Sequence, residues 1–155
     1  MRLASAAGLA LALVSTTAVS ASDISPADKK IMLGYTLTMP KLNAYEASTA
    51  ALKAAEAKDP SLAKDVEAAG SEHTTDMNGE FAKMDHHPRV YAFFAKSGLS
   101  KQDAILIPLT LMSACTVAQY PTMAPAMADQ VSPGQIAFCK TNMPAISKMK
   151  FMKGG

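Results

Sequence analysis

The chain has 155 residues, a length typical of one domain, and a formal net charge of +2. Hydrophobic residues make up 49% and charged residues 18%. This balance excludes an intrinsically disordered chain, because enough apolar surface is present to form a core. The small net charge excludes the broad basic surface that a nucleic-acid-binding protein uses. Alanine and long unbranched side chains outnumber β-branched and aromatic ones, which favours helix over sheet.

The first 21 residues have the pattern of a secretory signal peptide. Arg2 provides the positive start, residues 3–14 form a short apolar run, and Val19-Ser20-Ala21 fits the small-x-small cleavage rule. We therefore expect cleavage after Ala21 and a periplasmic or secreted protein. The alternative is an uncleaved membrane helix, but the apolar run is too short to span a bilayer. No other segment reaches about 18 apolar residues, so we expect no transmembrane anchor.

Residues 22–155 are expected to form a single all-α domain, a compact bundle of five or six helices. No period-two alternation of useful length predicts a strand. Several helix starts combine a capping side chain with a proline or an acidic residue in the first turn. Pro88 disfavours the helical conformation of the preceding residue, His87, so a helix is expected to break near His86. The predicted starts are Ser25-Pro26, Thr38-Met39-Pro40, Asp59-Pro60, Ser71-Glu72, Ser100 with Asp103, and Ser132-Pro133.

The segment 101–119 is predicted to be the central helix of the bundle. Apolar residues occur on most of its sides, which is typical of a helix surrounded by others. Pro108 lies inside this helix and is expected to kink it. Pro144 is expected to bend or interrupt the last helix, and residues 120–131 are expected to be a linker.

Cys115 and Cys139 are expected to form a disulfide. Cys115 lies shortly before the linker and Cys139 shortly after it, so antiparallel neighbouring helices would bring the two to similar height. Export through an oxidising compartment favours the bond. Closing this loop stabilises the fold by about 3 to 4 kcal/mol. Two buried free thiols are the alternative. A redox-active pair is disfavoured because catalytic dithiols usually lie two residues apart.

Methionine and histidine are candidate metal ligands in residues 73–87. Thioether sulfur suits Cu(I) and imidazole suits Cu(II), so the predicted metal is copper. The alternative interpretation is that the methionines fill the core and the histidines lie in a solvated turn. Zinc is less favoured than copper, because the chain has only three histidines and no free cysteine is expected. The lack of a Cys-x-x-Cys-His motif excludes covalently attached haem. The candidate copper ligands are His73, Met77, Met84, His86 and His87.

Four aromatic residues are candidates for lining a groove between helices: Tyr35, Tyr45, Tyr91 and Phe94. The alternative is that this aromatic patch belongs to the core. The chain has no Gly-x-Ser-x-Gly elbow and no Gly-rich phosphate loop, so we expect no catalytic residues.

The C-terminal segment is basic and partly apolar. From Lys140 onward it contains four lysines and no acidic residue, with methionine and phenylalanine between them. Such a segment can contact anionic lipid. The interpretation that the sequence favours is a frayed terminus whose cations stabilise the end of the last helix. The lysines are Lys140, Lys148, Lys150 and Lys153, and the apolar residues between them are Met149, Phe151 and Met152.

Three segments carry a family resemblance: Tyr35-Thr36-Leu37-Thr38, Lys41-Leu42-Asn43-Ala44-Tyr45, and Ala95-Lys96-Ser97-Gly98-Leu99-Ser100 with an apolar helix after it. In these the chain resembles a group of small exported bacterial helical proteins of unknown function, over about residues 30–150. The resemblance implies a helical fold and an exported location. We therefore expect a non-catalytic protein that acts by protein or small-ligand contact, with a periplasmic copper-binding protein as the alternative.

Overall fold

Helices dominate the residues that the structure describes, 24–122 and 125–153 of a computed structural model. None of these residues forms a strand, so the prediction of an all-α bundle is confirmed. The helices outnumber the predicted five or six, partly because one helical turn forms within the expected linker. The helices are α1 (Pro26–Gly34), α2 (Met39–Glu56), α3 (Pro60–Ser71), α4 (Met77–His86), α5 (Pro88–Lys96), α6 (Lys101–Gln119), α7 (Pro125–Ala128) and α8 (Pro133–Ile146), followed by a 3-10 turn at Lys150–Lys153.

The predicted signal peptide, residues 1–21, lies outside the described residues. Among the described helices, none combines the length and the hydropathy needed to cross a bilayer.

Most of the helices begin at the residues that the sequence predicted, and each of these starts has a side-chain cap. In each case a hydroxyl or carboxylate oxygen accepts a backbone N–H of the first turn, which satisfies a donor that has no partner inside the helix. At α6 and α8 the bond is reciprocal, because the third helical residue also accepts the backbone N–H of the cap. The confirmed caps are Ser25, Thr38, Asp59, Ser100 and Ser132.

The start of α4 differs from the prediction. A helix was expected to open at Ser71-Glu72, but α3 continues through Ser71 and α4 begins at Met77. Two carboxylates explain the later start. Asp76 caps α4 by accepting the N–H of Gly79 at 2.7 Å, and Asp28 of α1 accepts the N–H of Met77 at 3.0 Å. Because Asp28 is distant in sequence, the local pattern does not reveal its contribution.

Helix α6 lies at the centre of the fold, as predicted. It packs against α2, α4, α5, α7 and α8, and its inward side chains join a core cluster that draws on nearly every long helix. Pro108 lies within α6 and Pro144 within α8, yet neither proline ends its helix. The fully buried side chains of α6 include Leu106, Ile107, Thr110 and Leu111.

A disulfide joins α6 to α8, which confirms the predicted pair. Cys115 and Cys139 are bonded, with Cα atoms 5.2 Å apart, and both are buried. Helix α8 packs mainly against α6. Its first turn is also tied to the end of α1, because the Gln135 amide donates to the carbonyl oxygens of Met32 and Tyr35 at 2.7 Å each.

The C-terminal segment packs against α2, contrary to the expectation of a frayed terminus. Met149 is buried, and the Phe151 ring meets the Tyr45 ring edge-on with centroids 5.3 Å apart. The backbone N–H of Lys150 donates to the Glu46 carboxylate at 2.8 Å. The sequence favoured fraying because it shows the lysines, whereas the two apolar residues between them hold the segment on the body of the protein.

Candidate functional site

One carboxylate joins the two adjacent histidines. Glu72, which follows α3, lies 2.8 Å through Oε1 from Nδ1 of His86 and 2.9 Å through Oε2 from Nε2 of His87. The hydrogen bonds to His86 and then to His87 hold the pKa of Glu72 below its ordinary value, against a smaller opposing effect of burial. This Glu72–His86–His87 cluster therefore connects the end of α3 to the junction of α4 and α5.

The structure places the five predicted copper ligands in different surroundings. Met84 is 2% exposed and packs in the core, whereas His73 lies exposed in the α3–α4 linker. Met77 is half-buried at the start of α4. Within the described residues, no three or more His, Cys, Asp or Glu side chains are arranged to hold a metal ion. Among the five, His86 and His87 share a partner, and sequence spacing does not reveal Glu72, which precedes them by 14 and 15 residues.

Three of the predicted groove residues are mostly enclosed by the fold. The rings of Tyr45 and Phe94 are buried against each other, with centroids 5.6 Å apart, and burial raises the pKa of Tyr45. Tyr91 is half-buried and its hydroxyl donates to the Leu99 carbonyl at 3.4 Å. Tyr45 and Phe94 therefore belong to the core rather than to an open surface.

The fourth, Tyr35, belongs to a polar cluster at the start of α6. Its hydroxyl donates to Asp103 at 2.6 Å, and the Lys41 ammonium lies 2.7 Å from the same carboxylate oxygen. Burial and the bond to Asp103 raise the pKa of Tyr35. Burial also opposes ionisation of Asp103, but hydrogen bonds from Lys41, Tyr35 and Ser100 outweigh it and lower the pKa of that carboxyl. Near neutral pH the tyrosine stays protonated and the aspartate stays ionised, which suits a structural role.

One side of α6 is uncharged and not fully buried. Its residues recur every three or four positions, so they lie on one side of the helix. Met112 is 45% exposed and Tyr120, which follows the helix, is 52% exposed. No charged residue occurs in 104–128. The sequence predicted α6 to be surrounded, and uniform hydrophobicity gave no signal of which side faces out. We define the α6 outward face as Ile105, Pro108, Leu109, Met112, Thr116 and Tyr120.

A second surface feature lies between the start of α2 and the end of α8. It is an open depression of about 460 Å³ with Met39, Pro144, Ala145 and Met149 among its lining residues. Lys148 is exposed and also lines it. The depression therefore combines apolar walls with one cationic and one anionic side chain, Lys148 and Glu46, next to the docked C-terminal segment.

Comparison of the chain with known protein families, curated proteins and solved structures finds no match. The function is therefore inferred from the chemistry and placement of the described residues.

Proposed function

We propose that the protein is an exported, non-catalytic helical protein that acts by binding another protein through the α6 outward face. The observation that carries this proposal is an uncharged side of the longest helix that is not fully buried, with Met112 exposed on it and Tyr120 exposed just after it. Exposed apolar side chains that occur singly need no explanation, but two large ones beside partly exposed apolar neighbours are typical of an interaction surface.

The chemistry of this face indicates the chemistry of the partner. Because residues 104–128 lack charge, a charged group on the partner would lose its hydration without gaining a counter-ion. An uncharged apolar surface, such as the exposed side of a helix, avoids that penalty. Met112 adapts its shape to a partner, and Tyr120 combines a large apolar ring with a hydroxyl.

The face is also held rigid before binding. Helix α6 begins with a reciprocal capping box at Ser100 and Asp103, and the disulfide at Cys115 fixes its second half to α8. Because the backbone of a fixed helix is already ordered, little conformational entropy remains to be lost on association. The inward side of α6 stabilises the fold, so residues on its outward side can contact a partner without loss of core packing.

Photo-crosslinking in the producing cell tests this proposal. A benzoylphenylalanine residue replaces Met112 or Tyr120 in the full chain, and matched controls carry it at the exposed positions Lys53 and Glu67. We expect one discrete protein adduct from positions 112 and 120, absent from the controls and lost when Leu109→Glu adds a charge to the face. The crosslinked residue of the partner should lie on an uncharged surface.

Equal adducts from test and control positions, or no adduct at 112 and 120, would overturn the proposal. The Leu109→Glu protein must retain its helical circular dichroism for the comparison to count.

Export is supported by the pattern of residues 1–21 and by the presence of a disulfide, which persists in oxidising compartments. Expression of the full chain in a bacterium with a periplasm tests it. We expect the intact mass of the periplasmic protein to fit a chain that begins at Ser22. A protein that retains Met1, or that stays in the cytoplasm, would contradict export without affecting the α6 proposal.

A further inference from the structure

We propose that the C-terminal basic segment, Lys140–Lys153, binds the surface of an anionic phospholipid bilayer. This surface is distinct from the α6 outward face, and the inference does not depend on the proposed protein partner.

The small net charge of the chain conceals two oppositely charged regions. Residues 56–85 contain eight acidic residues and three lysines, whereas residues 130–153 contain four lysines and no acidic residue. Helix α8 lies mainly against α6 and the C-terminal turn lies against α2, whereas α3 packs on α2, α4 and α5, so the two regions are joined through shared neighbours rather than packed mainly on each other. A negatively charged surface would therefore attract the C-terminal segment and orient the molecule with that segment towards it.

The lysines of this segment remain available to solvent. Lys140, Lys148 and Lys150 are all exposed. Among the residues that the structure describes, the ion pairs between side chains involve none of these three. Five other basic residues, by contrast, lie within 4.0 Å of a carboxylate: Lys29, Lys41, Lys83, Arg89 and Lys101.

The backbone that presents these lysines is fixed. Met149 is buried, Phe151 packs on Tyr45, and the Lys150 N–H is bound by Glu46. The backbone around Lys150 is therefore held on the body of the protein, as that of Lys140 is held within α8, and less backbone entropy is lost on adsorption than for a free tail. Glu46 is an acidic residue in contact with this turn, and one of its carboxylate oxygens already accepts the Lys150 N–H.

Apolar groups beside the lysines favour a bilayer over a soluble polyanion. Met152 is 40% exposed, between two lysines of the sequence. The open depression next to Lys148 is lined by Met39 and Met149. A lipid headgroup region offers negative charge and, just beneath it, apolar chains that these side chains can contact. A nucleic acid would provide the charge without the apolar layer.

Vesicle cosedimentation of the purified protein tests the inference. Vesicles of phosphatidylcholine with phosphatidylglycerol are compared with vesicles of phosphatidylcholine alone, at about 0.01 M and about 0.15 M salt. We expect binding only to the anionic vesicles, and weaker binding at the higher salt. The test variant is Lys140→Gln/Lys148→Gln/Lys150→Gln, and the control with the same loss of charge is Lys53→Gln/Lys58→Gln/Lys64→Gln, all exposed positions.

The test variant should bind about a hundredfold more weakly than the parent, because each lysine at an anionic surface contributes about fivefold. The control variant should bind within about threefold of the parent. The single variant Met152→Ser should weaken binding by a larger factor at the higher salt than at the lower salt, because the apolar contact then contributes a larger share of the binding free energy.

Several outcomes would overturn the inference. These are no binding to anionic vesicles at low salt, an equal loss in the test and control variants, and tighter binding to duplex DNA than to anionic vesicles. Millimolar inorganic phosphate should not displace the protein from vesicles, and displacement would instead point to a site for a free phosphate.

Discussion

Two regions of the molecule are stabilised by different physical interactions. The pair of α6 and α8 is joined by apolar packing around Leu111 and by the disulfide between Cys115 and Cys139. The region of α3, α4 and α5 adds polar links at its surface, where Arg89 pairs with Asp59 and Asp65 at 2.7 Å each. The Glu72–His86–His87 cluster lies in this second region.

The difference predicts how each region responds to its surroundings. Apolar burial and a covalent bond depend little on pH or salt. Ion pairs between half-exposed side chains are screened by salt and contribute about 0 to 1 kcal/mol each. We therefore expect the largest losses of stability from changes in the apolar core of α6 and α8, and pH-dependent effects from the carboxylates Asp103, at the start of α6, and Glu72, after α3.

The largest effect is expected from Leu111→Ala. Leu111 is 0% exposed in the centre of α6, so the change leaves a cavity that the surrounding helices fill only in part. The free energy of unfolding should fall by about 2 to 5 kcal/mol. Urea denaturation followed by circular dichroism measures this loss.

Met112→Ala is the matched control, because Met112 is the next residue but lies on the α6 outward face. Its effect should stay within about 0.5 kcal/mol. Similar losses for the two variants would contradict the assignment of inward and outward sides of α6.

The second effect is expected from loss of the disulfide in Cys115→Ala/Cys139→Ala. The bond closes a loop with a sequence separation of 24 residues. Removing it should lower the free energy of unfolding by about 3 to 4 kcal/mol, chiefly because the unfolded chain gains freedom. Urea denaturation of the parent and the variant checks the value. A loss below about 1 kcal/mol would show that packing alone holds α8 on α6.

The third effect is expected from Asp103→Asn at the junction of α1, α2 and α6. The amide loses the charge that binds Lys41, and its single acceptor oxygen can serve either Tyr35 or the capping bond from Ser100, but not both. We expect a loss of about 1 to 2 kcal/mol at neutral pH. Asp85→Asn, which removes an exposed partner of Lys101, should have a smaller effect. An equal effect would show that the Asp103 cluster adds nothing beyond a surface ion pair.

The sequence was sufficient to predict the parts of the fold that depend on local patterns. Capping residues placed the starts of α1, α2, α3, α6 and α8, and the apolar pattern of 101–119 placed α6 at the centre. The disulfide followed from the position of each cysteine relative to the linker. In each case the signal lies within a few turns of chain, where helix geometry fixes which side chains meet.

Contacts between distant segments were not predictable in the same way. Asp28 accepts the N–H of Met77 at the start of α4, and Glu72 contacts both His86 and His87. In both cases the contacting residues lie on different elements, and no repeating sequence pattern links them. Side-chain type alone also does not distinguish between two common roles of the same residue. The thioether of Met84 is of a type that binds soft metals, but in the fold this side chain is buried in the core.

The smallest effect is expected from Glu72→Gln. Because the histidine hydrogen bonds lower the pKa of Glu72 in the folded protein, its ionised form stabilises the fold above the ordinary glutamate pKa of 4.5. That stabilisation is lost as the pH falls through the lower folded value. The parent should therefore be slightly more stable than the variant at neutral pH, and the two should converge in acid. Urea midpoints measured from pH 7 down to pH 3 follow this convergence, with the exposed Glu67→Gln as a control that should show none. A difference that persists unchanged into acid would mean that Glu72 stabilises the junction by packing or by neutral hydrogen bonds, and the region of α3 and α4 would then lose the pH dependence that sets it apart from the apolar packing of α6 on α8.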